Sequence, residues 1–165
     1  MKLRPYQSSD YDEIRTWTSD ERAHVMWCAG RFPYPMTREG FEEQLAFLTQ
    51  RSGDRFFTAA GEDGEVIGFF GLMIKPDVRK ALLKFVIVSP EFRGKGYGHE
   101  MIGLAVRTAF EMDNVDSVQL TVFSSNPAAF HCYSAAGFVE ESRSERDFEY
   151  RDECWDRCHM AIQRH

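Results

Sequence analysis

Across Val86-Ile87-Val88-Ser89-Pro90-Glu91-Phe92-Arg93-Gly94-Lys95-Gly96-Tyr97-Gly98 an apolar run gives way to three glycines at alternate positions. The run Leu82-Leu83-Lys84-Phe85-Val86-Ile87-Val88 is nearly continuous in apolar residues, as expected of a strand buried on both faces. From residue 98 to about residue 112, Met101, Ile102, Ala105, Val106, Ala109 and Phe110 follow the helical period. A strand therefore delivers the chain into a glycine turn, and a helix starts at once. In such a turn, successive backbone N–H groups point outward at the positive end of the helix dipole and form an anion site. Gly96 and Gly98 remove side chains that would obstruct a pyrophosphate, and Arg93, Lys95 and His99 can add positive charge. A P-loop would need Ser or Thr after Gly94-Lys95, where Gly96 stands. A dinucleotide fingerprint needs Gly-x-Gly-x-x-Gly, and an acidic residue at the end of the next strand. Asp116 stands at the start of one. A tight turn without a ligand is still open at this point.

The flanking sequence reads as a mixed α/β order in a single domain, residues 1–165, with no repeat, low-complexity tract or linker. Leu3 to Tyr6 predicts a short first strand. Ser8 or Ser9 then caps a helix carrying Tyr11, Ile14 and Trp17, and Thr37 caps another with Phe41, Leu45 and Leu48 on one stripe. Between them, Met26 to Pro35 is aromatic and proline-rich, a segment expected as a loop serving as substrate lid or connector. Phe56 to Ala60 and Val66 to Ile74 predict a hairpin through Glu62-Asp63-Gly64, followed by a strand from near Arg79 to Val88. Val118, Leu120 and Val122 alternate as a strand, and Asn126-Pro127 opens a short helix that Gly137 closes. Strands near Phe138 to Phe148 and Trp155 to Ile162 complete the chain, around a strongly bent or split central sheet.

Composition bounds the function classes. The chain is 43% hydrophobic and 28% charged, with 14 Phe, an ordinary globular balance that points to an aromatic-rich core. A formal charge of −6 and a pI near 5.4 argue against a nucleic-acid binder. No run approaches the ~18 apolar residues of a membrane span, and the first residues lack a signal-peptide core, so a cytoplasmic location is the default expectation. Cys28, Cys132, Cys154 and Cys158 are then expected as free thiols. The Cys154/Cys158 pair beside His159 has no matched second pair, so no metal is expected.

The glycine loop has a companion. Arg-x-x-Gly-x-Gly after a strand ending Val-x-Pro resembles motif A of the GNAT superfamily of N-acetyltransferases. About 30 residues on, Asn126-Pro127-Ala128-Ala129-Phe130-His131-Cys132-Tyr133-Ser134-Ala135-Ala136-Gly137-Phe138 resembles its motif B. The two-helix N-terminal segment and the last strand with Trp155 look most like the ribosomal-protein and polyamine N-acetyltransferase branches. The resemblance implies a GNAT-like α/β fold with a splayed sheet of about seven strands and about four helices. It implies acetyl-CoA as cosubstrate, with pantetheine on the backbone of Val86, Ile87 and Val88, pyrophosphate on Arg93, Gly94, Lys95, Gly96, Tyr97, Gly98 and His99, and Asn126 reaching the pantetheine.

It also implies Tyr133 as the general acid. A phenol of reference pKa near ~10 is protonated at neutral pH and can donate to a departing thiolate. Where some relatives carry a base, this chain has Thr121 or Lys84, neither of them a carboxylate. Asp20, Glu21 and His24 are candidates by location alone. The implied acceptor is a primary amine of a polyamine, an aminoglycoside or a protein N-terminus. The acidic tail from Glu140 to Glu153 could attract such a cation or simply be solvated surface. The fold also allows a homodimer through its last strands. An acyl-CoA-binding sensor without turnover is the competing expectation.

Overall fold

The computed structural model describes residues 1–112 and 114–165. One seven-stranded sheet runs in the order β1-β2-β3-β4-β5-β7-β6. Its strands are β1 (Lys2–Pro5), β2 (Arg55–Ala60), β3 (Val66–Lys75), β4 (Lys80–Val88), β5 (Ser117–Phe123), β6 (Val139–Tyr150) and β7 (Glu153–Gln163). The helices are α1 (Tyr11–Ile14), α2 (Glu21–Cys28), α3 (Arg38–Ser52), α4 (Tyr97–Glu111) and α5 (Pro127–Ala135), five where about four are expected from sequence.

Alternation along β3 builds the layers. Phe69 packs on one face with Tyr11, Ile14, Trp17, Phe32 and Phe41, from α1, α3 and the segments after α1 and α2. Its neighbour Phe70 faces the opposite way, into a core made with Met101, Ile102 and Ala105 of α4 and with Tyr133 of α5. Successive strand residues point to opposite faces, so one apolar strand can serve both layers. The aromatic-rich core expected from 14 Phe is present, with Phe32 and Phe41 centroids 4.7 Å apart.

Several local expectations change. α3 is capped by Thr37, whose hydroxyl accepts the Gly40 N–H, as its sequence predicts. α1 is not capped by Ser8 or Ser9. The chain turns through a short 3-10 segment, Ser8–Asp10, where the Asp10 carboxylate accepts the Gln7 N–H at 2.9 Å, and the helix stops before Trp17. The segment expected as loop from Met26 begins as the last turn of α2, which Asp20 caps through the Ala23 N–H. Only from Ala29, at φ 52°, does it leave the helix.

The decisive feature is the seam between β4 and β5. These parallel strands pair only from Lys80–Leu82 with Ser117–Gln119 and then diverge. Arg79 holds the closed end through its pair with Asp116 and a 2.9 Å bond to Asn114. β5 stays paired with β7 along its whole length. β4 stays with β3 except where Phe85 and Val86 stand opposite the single residue Phe70, a bulge with Phe85 at φ 54°. β4 was expected to be buried on both faces, but only Ala81, Leu83 and Ile87 are buried along it. The reason is that its edge beyond Leu82 borders open space rather than another strand.

Candidate active site

Two cavities meet at the opened seam. The larger, about 680 Å³, runs from the glycine turn along Val86–Val88 to Tyr133. The smaller, about 260 Å³, lies among β4, β5, Arg157 of β7 and the end of α2. Met26, Trp27, Val86, Asn126 and Tyr133 line both. A group held in one cavity can therefore meet a group held in the other at Tyr133.

The glycine turn lines the larger cavity. Gly94 and Gly96 have φ of 73° and 88°, and a Cβ built on either meets nothing within 4 Å. Gly96 is glycine because its backbone is left-handed, at the residue preceding the first turn of α4. Gly98 is glycine for room, since a Cβ there would lie 3.3 Å from Cys132 Sγ and 3.7 Å from Val88 Cγ2. α4 is 15 residues long, and its first N–H groups open toward this turn. The cradle therefore suits an anionic, elongated ligand such as the pyrophosphate and pantetheine of acetyl-CoA.

The residues expected at the cofactor divide by placement. Val86, Ile87, Val88, Arg93, Gly94, Gly96, Gly98, His99 and Asn126 line the larger cavity, whereas Lys95 and Tyr97 do not. Tyr97 packs edge-on against Phe92, with centroids 5.1 Å apart. Arg93 lies at the cavity, but its guanidinium donates to the carbonyls of Val88 (2.9 Å) and Trp17 (3.1 Å). It thereby ties the end of β4 to the segment after α1, and burial pulls its pKa below the usual arginine value. Asn126 keeps its capping role, accepting the Ala129 N–H at 3.2 Å while bordering both cavities.

Tyr133 is 7% exposed, and its hydroxyl makes no hydrogen bond among the described residues. Burial, then the neighbouring Cys132, raise its pKa well above the ordinary phenol value. Its hydroxyl stays protonated throughout the usable pH range.

Of the candidate bases, none lines either cavity. Asp20 caps α2, Glu21 pairs with Arg151 at 2.9 Å, and buried His24 donates its Nε2–H to the Phe32 carbonyl at 3.0 Å. Three carboxylates of the acidic tail are ion-paired, Glu153 on Arg22, Asp147 on Arg157 and Glu140 on Arg143, and none of the tail's carboxylates lines either cavity. Sequence reasoning missed Trp27. Its Nε1–H donates to the Phe85 carbonyl at 2.9 Å and so braces the bulge from α2. The aromatic density of Met26–Pro35 was the available signal. Arg31 and Arg157, which line the smaller cavity, were not singled out from sequence either, since an isolated arginine carries no spacing signature.

The profile of the Acetyltransferase (GNAT) family matches residues 11–138. The chain belongs to the GNAT acetyltransferase family. It is an acyltransferase, with acetyl-CoA as donor. Among curated relatives, it is 29% identical over 151 residues to spermidine N(1)-acetyltransferase of Vibrio cholerae serotype O1, covering 90% of this chain and 84% of that protein. A spermidine N-acetyltransferase from Vibrio cholerae, crystallised with CoA and spermine, superposes with a TM-score of 0.82 at 27% identity, over 98% of this chain and 94% of the other. A dodecameric structure of the Vibrio cholerae enzyme gives a TM-score of 0.78 at 26% identity, over 98% and 92% of the two chains. Among the described residues no cluster of His, Cys, Asp and Glu could hold a metal, all four cysteines are free, and no helix is long and apolar enough to cross a membrane.

Proposed function

We propose that the chain is one N-acetyltransferase domain that moves the acetyl group of acetyl-CoA to a primary amine of a small molecule, with Tyr133 as the general acid. The supporting observation is the position of Tyr133, buried in the wall shared by the larger cavity and the smaller one. The glycine turn and the N-terminus of α4 hold the pyrophosphate, and the open edge of β4 from Val86 to Val88 offers backbone partners to the pantetheine. A backbone N–H freed from the ladder at the Phe85–Val86 bulge serves as the donor that stabilises the charge developing on the acetyl oxygen.

The acceptor nitrogen enters from the smaller cavity and attacks the carbonyl carbon. The C–N bond forms and the C–S bond breaks. The Tyr133 hydroxyl gives its proton to the leaving sulfur, and the proton lost by the amine returns to Tyr133 through water. No Asp, Glu or His side chain among those lining the smaller cavity offers a base. The amine therefore attacks in its neutral form.

Spermidine, named for the relatives, is the reference acceptor. The dodecameric relative supports an oligomer here, with β6 at the open sheet edge as a natural contact. Thiol release from acetyl-CoA across a panel of primary amines tests the reading. Tight acetyl-CoA binding without release for any amine would instead identify a sensor.

A further inference from the structure

The smaller cavity is cationic. The chain has 26 Asp and Glu, yet none lines either cavity, while Arg31, Lys84 and Arg157 all line the smaller one. Lys84 and Arg157 are ion-paired, to Asp54 and Asp147, so Arg31 alone of the three has no ion-pair partner among the described residues, and no carboxylate at this wall meets a spermidine ammonium.

The three cations differ in how far they are already used. Lys84 Nζ lies 2.9 Å from Asp54 Oδ2, and this carboxylate is wholly buried and also accepts from Ser52 Oγ at 2.7 Å. Lys84 therefore balances a charge that the fold has put out of water. Arg157 Nε lies 2.9 Å from Asp147 Oδ2, but its N–H is not aimed at that oxygen and stays buried without a hydrogen bond. Its guanidinium rests on the face of Phe123, 5.1 Å from the ring centroid. Arg31, exposed at the mouth, has no ion-pair partner among the described residues. Arg31, and Arg157 through its terminal nitrogens, thus keep donors that are in no hydrogen bond among the described residues, at a space walled by Trp27, Phe85 and Phe123. Guanidinium forks match carboxylate and phosphate oxygens.

We infer that the acceptor of this chain carries an anionic group, carboxylate or phosphate, on the same small molecule as its reactive amine. Arg31 and Arg157 hold that group, the apolar walls hold the carbon chain, and the amine is left facing Tyr133. The same cations lower the pKa of an ammonium placed among them, which favours the neutral nucleophile in a cavity without a base. This inference rests on the transferase reading above.

The test compares acceptors of equal length that differ only at the far end: cadaverine, 5-aminopentanoate and an aminoalkyl phosphate, with spermidine as reference. The full-length chain should turn over one of the two anionic amines at least about tenfold better in kcat/KM than cadaverine, and the better of the two names the anion. Arg31→Gln and Arg157→Gln should each lower that ratio about tenfold, mainly through KM of the acceptor. Arg31 is exposed and has no ion-pair partner among the described residues, so its variant should fold normally. Lys84 is left intact because its loss would strand the buried Asp54 charge.

Turnover of spermidine and cadaverine in preference to both anionic amines would overturn the inference and leave the transferase intact. Absence of turnover with every amine would instead count against the transferase. Calorimetric titration of each acceptor into the CoA complex then decides the anion site on its own. Tighter binding of an anionic amine than of cadaverine upholds it, and equal or weaker binding overturns it.

Discussion

Tyr133→Phe removes one oxygen atom from the wall between the two cavities. The hydroxyl has no hydrogen-bond partner among the described residues and the ring is already buried with Phe138, 6.2 Å away, so the fold loses little. The expected change in thermal midpoint is within a few degrees. The chemical step loses its proton donor, and a positioned general acid contributes about 10²–10⁴ in rate. At about 1.4 kcal/mol per tenfold, this is roughly 3–5 kcal/mol on the barrier. KM for acetyl-CoA should change by less than about threefold, because the proposed pyrophosphate cradle, the glycine turn, lies at the other end of the larger cavity.

The assay is continuous thiol release with saturating acetyl-CoA and the best acceptor, followed from pH 6 to 10. Burial raises the phenol pKa, so the proton that the acid must carry is present below its raised value and is lost only above it. The wild-type rate should therefore show no fall assignable to Tyr133 up to pH 10. A Tyr133→Phe variant within about threefold of wild-type kcat would refute the assignment. So would a wild-type decline near pH 8–9 that disappears in the variant.

Three other outcomes follow from the packing. Gly98→Val puts a branched side chain against Cys132 and Val88 in the cofactor cleft, so KM for acetyl-CoA should rise at least about tenfold while circular dichroism stays native. Trp27→Phe keeps an aromatic ring but loses the indole N–H, its 2.9 Å bond to the Phe85 carbonyl and some packing, which should lower stability by at least about 1 kcal/mol in urea melts and reduce kcat more than acetyl-CoA binding. Asp10 is pushed up by burial, but bonds from Arg4, Gln7 and Thr58 outweigh this and leave its pKa below the usual carboxylate value. Its contribution is then complete above its unfolded pKa near ~4 and is lost as pH falls through the lower folded value. Asp10→Asn should cost about 2 kcal/mol at pH 7 and much less at pH 2–3, measured by urea unfolding at each pH.

The strand, glycine turn and helix that border the larger cavity were legible from local chemistry. The strand, the alternate glycines and the amphipathic helix over residues 98–112 are short-range features. They place N–H groups and positive φ within a dozen residues of one another. Asn126 and Pro127 likewise announced α5, and with it the height of Tyr133 on that helix. The failures have equally local causes. Ser8 and Ser9 look like caps, but Asp10, fixed by Arg4 and Thr58 from elsewhere in the chain, takes the turn instead. Trp27 was hidden in a segment whose prolines suggested loop, because the helix capped by Asp20 ends only one residue before Ala29.

The glycine turn and the two motifs were thus determined by the sequence alone, since an anion cradle at a helix N-terminus depends on the conformations of neighbouring residues. The lining of the smaller cavity was decided only by tertiary structure. Lys84, Arg31 and Arg157 come from three distant parts of the chain, and they share a wall only because β4 and β5 part after Leu82 and Gln119. The overall charge of −6 argues against a nucleic-acid binder and decides little about the acceptor. The fold reverses that sign locally by turning its carboxylates outward or into ion pairs, because the field in a small, largely desolvated cavity is set by the nearest charges, not by their sum.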